Sequence, residues 1–392
     1  MHKLLKSSID TVKSLSKPKK KFYKKVVDAF CVFRGKANYS NLSRYCNFSE
    51  KTIRRWFNKG LDCLKINSSM LSNIPDTHDK ICAIDATFIK KSGKKTQGLG
   101  MFWSGSAGEA KKGLEASIVS IVDVDSNTAY GLDAEQTIDV GDKSRTELYA
   151  DHIAKTFEEI KNHGIKYIVA DAFYSKKTFV NRITKSNLDM IGKLRKDANL
   201  KWEYTGKQTG IGRNKLYDGK VVFNDLGRFT YEYTVDDIEV YSAKVYSVTM
   251  KRFIKVVLLN DSAKDSYALL FSTDLLLSSE NIVKYYKARF QIEFFIRDSK
   301  QYTGLMDCQS RNSNAINTHM NLAMAALNCL KIEDSFKKGS FKKSVISIAS
   351  WKCIKFNKHY IKSILSKLEI SKDDNKYKEL YDEFSNYGVI AA

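Results

Sequence analysis

Proline is nearly absent from this chain of 392 residues, with only Pro18 and Pro75. It therefore marks few boundaries. Histidine is scarce too, six in all, and none stands near a cysteine at zinc-ligand spacing. The seven cysteines, at 31, 46, 63, 82, 308, 329 and 353, are odd in number and contain no CxxC pair. They read as reduced, mostly buried small hydrophobes of a cytoplasmic protein. No run reaches the roughly 20 apolar residues that a membrane span needs, and Met1 to Lys25 is basic without the apolar stretch of a secretory signal. Acidic residues are also short: 44 Asp and Glu against 66 Lys and Arg, for a net charge of +22 and a pI near 9.4. Such a field suits nucleic acid or an anionic membrane. Without a membrane segment, nucleic acid is the favoured partner, the alternative being a basic enzyme from a lysine-rich genome.

What is present is enough for a core, since 43% of the residues are hydrophobic. The N-terminal part, residues 1–75, reads as helical. Within it, KANYSNLSRYCNFSEKTIRRWFNKG at 36–60 places Ser40 and Ser49 as N-caps of two short helices with apolar positions at helical spacing. This is a helix-turn-helix pattern. Its second helix would project Lys51, Arg54 and Arg55 toward DNA, while Ile53, Trp56 and Phe57 pack inward. The alternative is a simple helical cap on the next domain.

From residue 81 the pattern changes to strands. ICAIDATFIKK, LEASIVSIVDVD and NTAYGLDAEQT lead to a helix at RTELYADHIAKTFEEIKNHG, then to the strand YIVADAFYS, the helix KTFVNRITKSN and the strand LDMIGKLRKD. Three antiparallel-looking strands followed by alternating helix and strand is the ribonuclease-H-like order, an α/β core with helices on a mixed sheet. Residues 198–272 interrupt it with β-branched and aromatic runs, an all-β insertion. The core therefore divides into 76–197 and 273–332, and 333–392 forms a helical tail. The lysine- and glycine-rich stretch 92–113 reads as a hairpin loop or a phosphate-backbone contact.

One helix is predicted over SSENIVKYYKARFQIEFFIRDSK. With Tyr286 at zero and about 100° per residue, Arg289, Glu293, Arg297 and Lys300 fall on one stripe, while Asp298 lies about 120° away. A carboxylate, a phenol and several cations on an apolar helix suit a polyanion with a metal ion at its centre. The alternative is an internal salt-bridge helix, with Glu293 paired to Arg289 or Arg297. Asp85 sits in the middle of its strand and Asp171 at the end of another, and each is costly to bury without a partner. In the ribonuclease-H-like order these strands are neighbours. Two carboxylates meeting there want a divalent cation, and Glu293 would complete a two-metal site for in-line attack on a phosphodiester. Asp123 and Asp125 are rival carboxylates, but they stand where a strand enters a turn, an ordinary place for Asp. His319, on an apolar helix, reads as structural.

Tyr286, Arg289, Glu293 and Lys300, separated by two, three and six residues, resemble the Y-(2)-R-(3)-E-(6)-K signature of DDE transposases of the insertion-sequence-4 type. The resemblance extends over about 80–332 and includes Asp85, Asp171 and the β-rich insertion. It implies a retroviral-integrase-like core, with Asp85, Asp171 and Glu293 as catalytic metal ligands for Mg²⁺ or Mn²⁺. Tyr286, Arg289, Arg297 and Lys300 would hold phosphates near the cut end. The implied activity is cleavage at transposon ends and strand transfer into target DNA by a homodimer in a synaptic complex, acting on nucleoid DNA. The alternatives are a DNA-binding regulator with an inactive transposase fold, or a nuclease that hydrolyses without joining. After Asp171 the chain reads DAFYSKK where many relatives have an R-E-A-D-type stretch, and Trp202 is the only tryptophan of the insertion.

Overall fold

The computed structural model describes residues 2–138, 141–208, 210, 212–368 and 375–390. Five helices come first: α1 (His2–Thr11), α2 (Lys17–Val32), α3 (Tyr39–Ser43), α4 (Glu50–Lys59) and α5 (Leu64–Leu71). Strands β1 (Lys80–Lys90), β2 (Gly100–Ser104), β3 (Glu109–Asp123) and β4 (Thr128–Gln136) follow, then α6 (Arg145–Asn162), β5 (Tyr167–Ala170), α7 (Lys177–Lys185) and β6 (Asp189–Leu194). The β-rich stretch supplies β7 (Leu200–Glu203), β8 (Tyr217–Lys220), β9 (Thr230–Val235), β10 (Ile238–Ser247), β11 (Arg252–Asp261) and β12 (Ser266–Ser272). The chain returns to helix with α8 (Ser279–Ala288), α9 (Gln291–Tyr302), α10 (Ser313–Lys337), α11 (Ile348–Lys367) and α12 (Asn375–Ser385). This is a mixed α/β protein in two compact units: Met1–Asp79, Ala86–Ile138 and Glu293–Ala392 form one, and Lys80–Asp85 with Asp139–Ile292 form the other.

In the second unit the first half of β1 pairs parallel with β5, and β5 pairs parallel with β6. Ile81 to Ile84 are buried without alternation, the signature of a strand covered on both faces. Beyond β6 the pairing turns antiparallel through β12, β11 and β10, with β7 and β9 both on β10. The β-rich stretch is thus bonded onto the strands that carry the parallel core. Trp202 is buried within it against Phe229, with the Arg228 guanidinium 4.5 Å from its ring centroid.

In the first unit β3 pairs antiparallel with β2 and with β4. The lysine- and glycine-rich stretch therefore forms a hairpin, Gly100 facing Gly113 and Ser104 facing Glu109. Helix α10 lies on β4, and three of its asparagines act as a partner strand would. Asn328 accepts from the Gly131 N–H at 2.9 Å and donates to the Gly131 carbonyl at 2.8 Å. Asn321 does the same for Ala134, and Asn317 accepts from the Gln136 N–H. Spacings of four and seven residues keep these amides on one helical stripe. They satisfy a strand edge that would otherwise be buried unpaired. Gly131 also makes room for α9, because a Cβ there would lie 2.7 Å from the Phe295 ring.

His319 of α10 is fully buried beside Phe30 and Phe57, and its Nε2–H donates to the Gly304 carbonyl at 2.8 Å. Among the described residues, buried Nδ1 has no hydrogen-bond partner. Burial pushes the imidazole pKa down to about 4, against an ordinary 6.5. As pH falls through 6.5 the unfolded chain takes up a proton that the folded chain refuses, so stability is lost from there to about pH 4. The expected loss is about 3 kcal/mol. Thermal unfolding between pH 7 and pH 4 should show this slope, and His319→Gln, which keeps an amide donor for Gly304, should flatten it.

Candidate active site

The register of β1 on β5 sets Cys82 opposite Ile168 and Ala83 opposite Val169. Three positions further along each strand, the same register brings Asp85 level with Asp171. Asp85 is half-buried within β1, and Asp171 stands one residue past the end of β5. Asp171 caps the short 3-10 turn Ala172–Tyr174 by accepting the Phe173 N–H at 2.8 Å. That cap fixes the carboxylate at the strand end and engages one of its two oxygens. Next to it Phe173 is exposed, with the Lys176 ammonium 4.0 Å from its ring centroid.

The predicted glutamate helix is two helices. Around Arg289 the backbone tightens to i,i+3 bonds, with Phe290 N–H on the Lys287 carbonyl and Ile292 N–H on the Arg289 carbonyl. Arg289 is buried and folds back on its own neighbours, its guanidinium 4.6 Å from the Phe290 ring centroid and 5.6 Å from that of Tyr286. The single stripe from Tyr286 to Lys300 therefore does not hold. Tyr286 belongs to α8, and Arg289 ends it.

A shorter stripe survives on α9. Stepping about 100° per residue from Glu293 puts Arg297 near 40° and Lys300 near 340°, with Asp298 on another side near 140°. Glu293 is exposed in the first turn of α9, where the helix dipole favours a carboxylate. Lys300 donates to the Phe88 carbonyl of β1 at 3.1 Å, three residues along that strand from Asp85. Arg297 is exposed, lies 4.9 Å from the Phe294 ring centroid and pairs with the adjacent Asp298 at 3.1 Å. Asp85 and Asp171 belong to the second unit and Glu293 to the first, so the strand register relates the two aspartates only.

The rival carboxylates are accounted for by local structure. Asp123 is completely buried, meets His78 Nδ1 at 2.9 Å and accepts the N–H groups of Asp125 and Ser126. Asp125 accepts the Asp79 N–H at 2.8 Å. His78, Asp123 and Asp125 stand close enough to share a cation. The turn bonds give Asp123 and Asp125 a sufficient role without one.

On the N-terminal helices, Ser49 caps α4 as expected by accepting the Thr52 N–H. The cap of α3 is Asn38 rather than Ser40, because the helix starts at Tyr39 and the Asn38 side chain accepts the Asn41 N–H at 2.8 Å. Ile53 and Phe57 are buried and Trp56 stacks on Phe22 with ring centroids 5.2 Å apart. Lys51, Arg54 and Arg55 are exposed, and Arg54 is ion-paired to Glu50 on the same helix.

The β1–β5 register, continued past Ala83 and Val169, puts two carboxylates level in an α/β protein. The chain belongs to the transposase DDE domain family, whose model matches residues 76–329. No curated protein matches the sequence. Among solved structures, it is similar to a piggyBac transposase synaptic complex with hairpin DNA at 11% identity, covering 100% of this chain and 83% of that one with a TM-score of 0.41. It is also similar to the NurA nuclease from Sulfolobus solfataricus at 10% identity, covering 74% of this chain and 92% of that one with a TM-score of 0.26. At these scores the family match alone carries the assignment.

Proposed function

We propose that this transposase-family protein is an active DNA transposase of the insertion-sequence-4 type, with a ribonuclease-H-like core, that cleaves transposon ends and joins them to target DNA. The observation that carries this reading is the β1–β5 register, which when continued past Ala83 and Val169 sets Asp85, within β1, level with Asp171, just past the end of β5, inside the family match over 76–329. Glu293 is the third carboxylate. All three supply hard oxygen donors without thiol or imidazole, a set that suits Mg²⁺ or Mn²⁺ rather than zinc. Bound there, the ion would supply an acidified water or 3′-hydroxyl and neutralise charge on the scissile phosphate.

The chain's own residues bind and orient the DNA. Lys300, anchored on the Phe88 carbonyl, and Arg297, on the same stripe as Glu293, hold backbone phosphates. Tyr286 and Arg289 support them from the end of α8. Asp171, fixed by its cap on Phe173, holds its carboxylate in place without reorganisation. Two copies assemble with two DNA ends. The test is Mg²⁺-dependent cleavage and joining on DNA carrying the element's terminal repeats; hydrolysis without a joined product would contradict strand transfer.

Lys51, Arg54 and Arg55 hold DNA through α4. Each phosphate contact contributes about 0.9 to the slope of log K against log salt. Replacing all three with Ala should weaken binding to end DNA and lower that slope by about 2 to 3, as read by fluorescence anisotropy across a salt series. An unchanged slope removes α4 from the interface.

A further inference from the structure

The first unit contains a recess of about 450 Å³ where the loop after α2, the C-terminal end of α9 and helix α11 meet. Four cations line it, Arg34, Lys36, Lys300 and Lys352, against one carboxylate, Asp307. That carboxylate is engaged by the Ala37 N–H at 2.8 Å. The floor is fixed by Lys352, whose ammonium donates to the Tyr302 carbonyl at 2.7 Å and the Phe30 carbonyl at 3.3 Å, tying down the last turns of α9 and α2.

The loop Arg34–Gly35–Lys36 is braced by side-chain hydrogen bonds at both ends. Asn41 takes up the two outer carbonyls, donating to Arg34 at 2.7 Å and to Lys36 at 2.9 Å. The Arg34 N–H goes to the Tyr45 hydroxyl. Gly35 has φ +83°, a left-handed conformation that a side chain would strain. The Gly35 and Lys36 N–H groups meet no acceptor among the described residues. The Arg34 guanidinium stacks 3.9 Å from the Phe356 ring centroid, which occupies its face and leaves its N–H edge to bond elsewhere. Among the described residues no carboxylate pairs with Arg34 or Lys36.

Consecutive backbone N–H groups beside an arginine edge and two lysines are the donor set of an anion site. We propose that this recess binds a phosphate group, with Arg34, Lys36 and the Gly35–Lys36 backbone as its donors and Lys352 as the fixed positive floor. The phosphate belongs either to a polynucleotide strand or to a small free phosphate. Lys300 lines the recess and also belongs to the stripe assigned to DNA in the proposed function, but none of the donors named here is a proposed metal ligand, so the site is tested with metal chelated and no cleavage under way.

The experiment uses the full chain in EDTA at constant ionic strength. Inorganic phosphate is titrated against a chloride control while the unfolding temperature is followed, for wild type, Arg34→Ala/Lys36→Ala, and Lys36→Glu, which leaves the Arg34 stack intact. Wild type should be stabilised by phosphate beyond chloride, and both variants should need at least tenfold more phosphate for the same shift. A short single strand with a 5′-phosphate is then compared with its 5′-hydroxyl form. Tighter binding of the phosphorylated strand to wild type alone supports the site with a polynucleotide as its source. Equal binding of the two strands, with the inorganic phosphate effect retained, supports it with a free phosphate as its source. No stabilisation beyond chloride, or equal stabilisation of wild type and both variants, overturns the proposal.

Discussion

Asp171→Asn, Asp85→Asn and Glu293→Gln should each slow Mg²⁺-dependent cleavage of end DNA by about a thousandfold or more, a loss of about 4 kcal/mol of transition-state stabilisation. These substitutions remove a negative charge while keeping size and an acceptor oxygen. For Asp171 this matters, because its carboxylate also caps the turn that begins at Ala172. The amide of Asn can still accept the Phe173 N–H, so Asp171→Asn should unfold within a few degrees of wild type, whereas Asp171→Ala also loses the cap, at about 1 kcal/mol. Single-turnover cleavage and thermal unfolding on the same preparations separate the two effects. A variant that cuts as fast as wild type removes that residue from the site.

Asn328→Leu should cost about 3 to 5 kcal/mol of folding stability, among the largest effects of a single change in this chain. The Asn328 amide satisfies both the N–H and the carbonyl of Gly131 in a fully buried position. Leucine has similar volume but leaves two buried backbone groups unpaired, at about 1 to 3 kcal/mol each. Asn328→Asp keeps the acceptor and loses the donor, and also buries a charge, so it should be at least as damaging. Denaturant unfolding measures both variants. A change under about 1 kcal/mol for Asn328→Leu would mean that the β4 edge does not depend on α10.

Strand β1 and the positions of Asp85 within it and of Asp171 just past β5 were legible because a buried strand is written locally, as in the apolar run Ile81 to Ile84 broken by Asp85. The cap at Ser49 was legible for the same reason, a small polar residue opening an amphipathic run. The break between α8 and α9 was not. No proline or glycine marks it, and only the structure shows the backbone tightening to i,i+3 bonds where Arg289 is buried against the rings of its neighbours Tyr286 and Phe290. A helical wheel drawn through that point joins residues from two helices. Strand β2 was read only as part of a hairpin loop, since its five residues GMFWS are short and set among flanking glycines and lysines, and its order comes from pairing with β3. The asparagines of α10 were visible at 317, 321 and 328, but their meaning depends on β4 lying beside them. His319 was read as structural, and its neighbours Phe30 and Phe57 lie hundreds of residues away in sequence.

The central claim is tested most directly by incubating wild type and Asp171→Asn with DNA carrying the element's ends and a supercoiled target plasmid, in Mg²⁺ and in EDTA. Wild type should give cut ends and a joined product in Mg²⁺ alone, and Asp171→Asn should give neither. Cleavage that persists in EDTA, or that proceeds equally in Asp171→Asn, would contradict it.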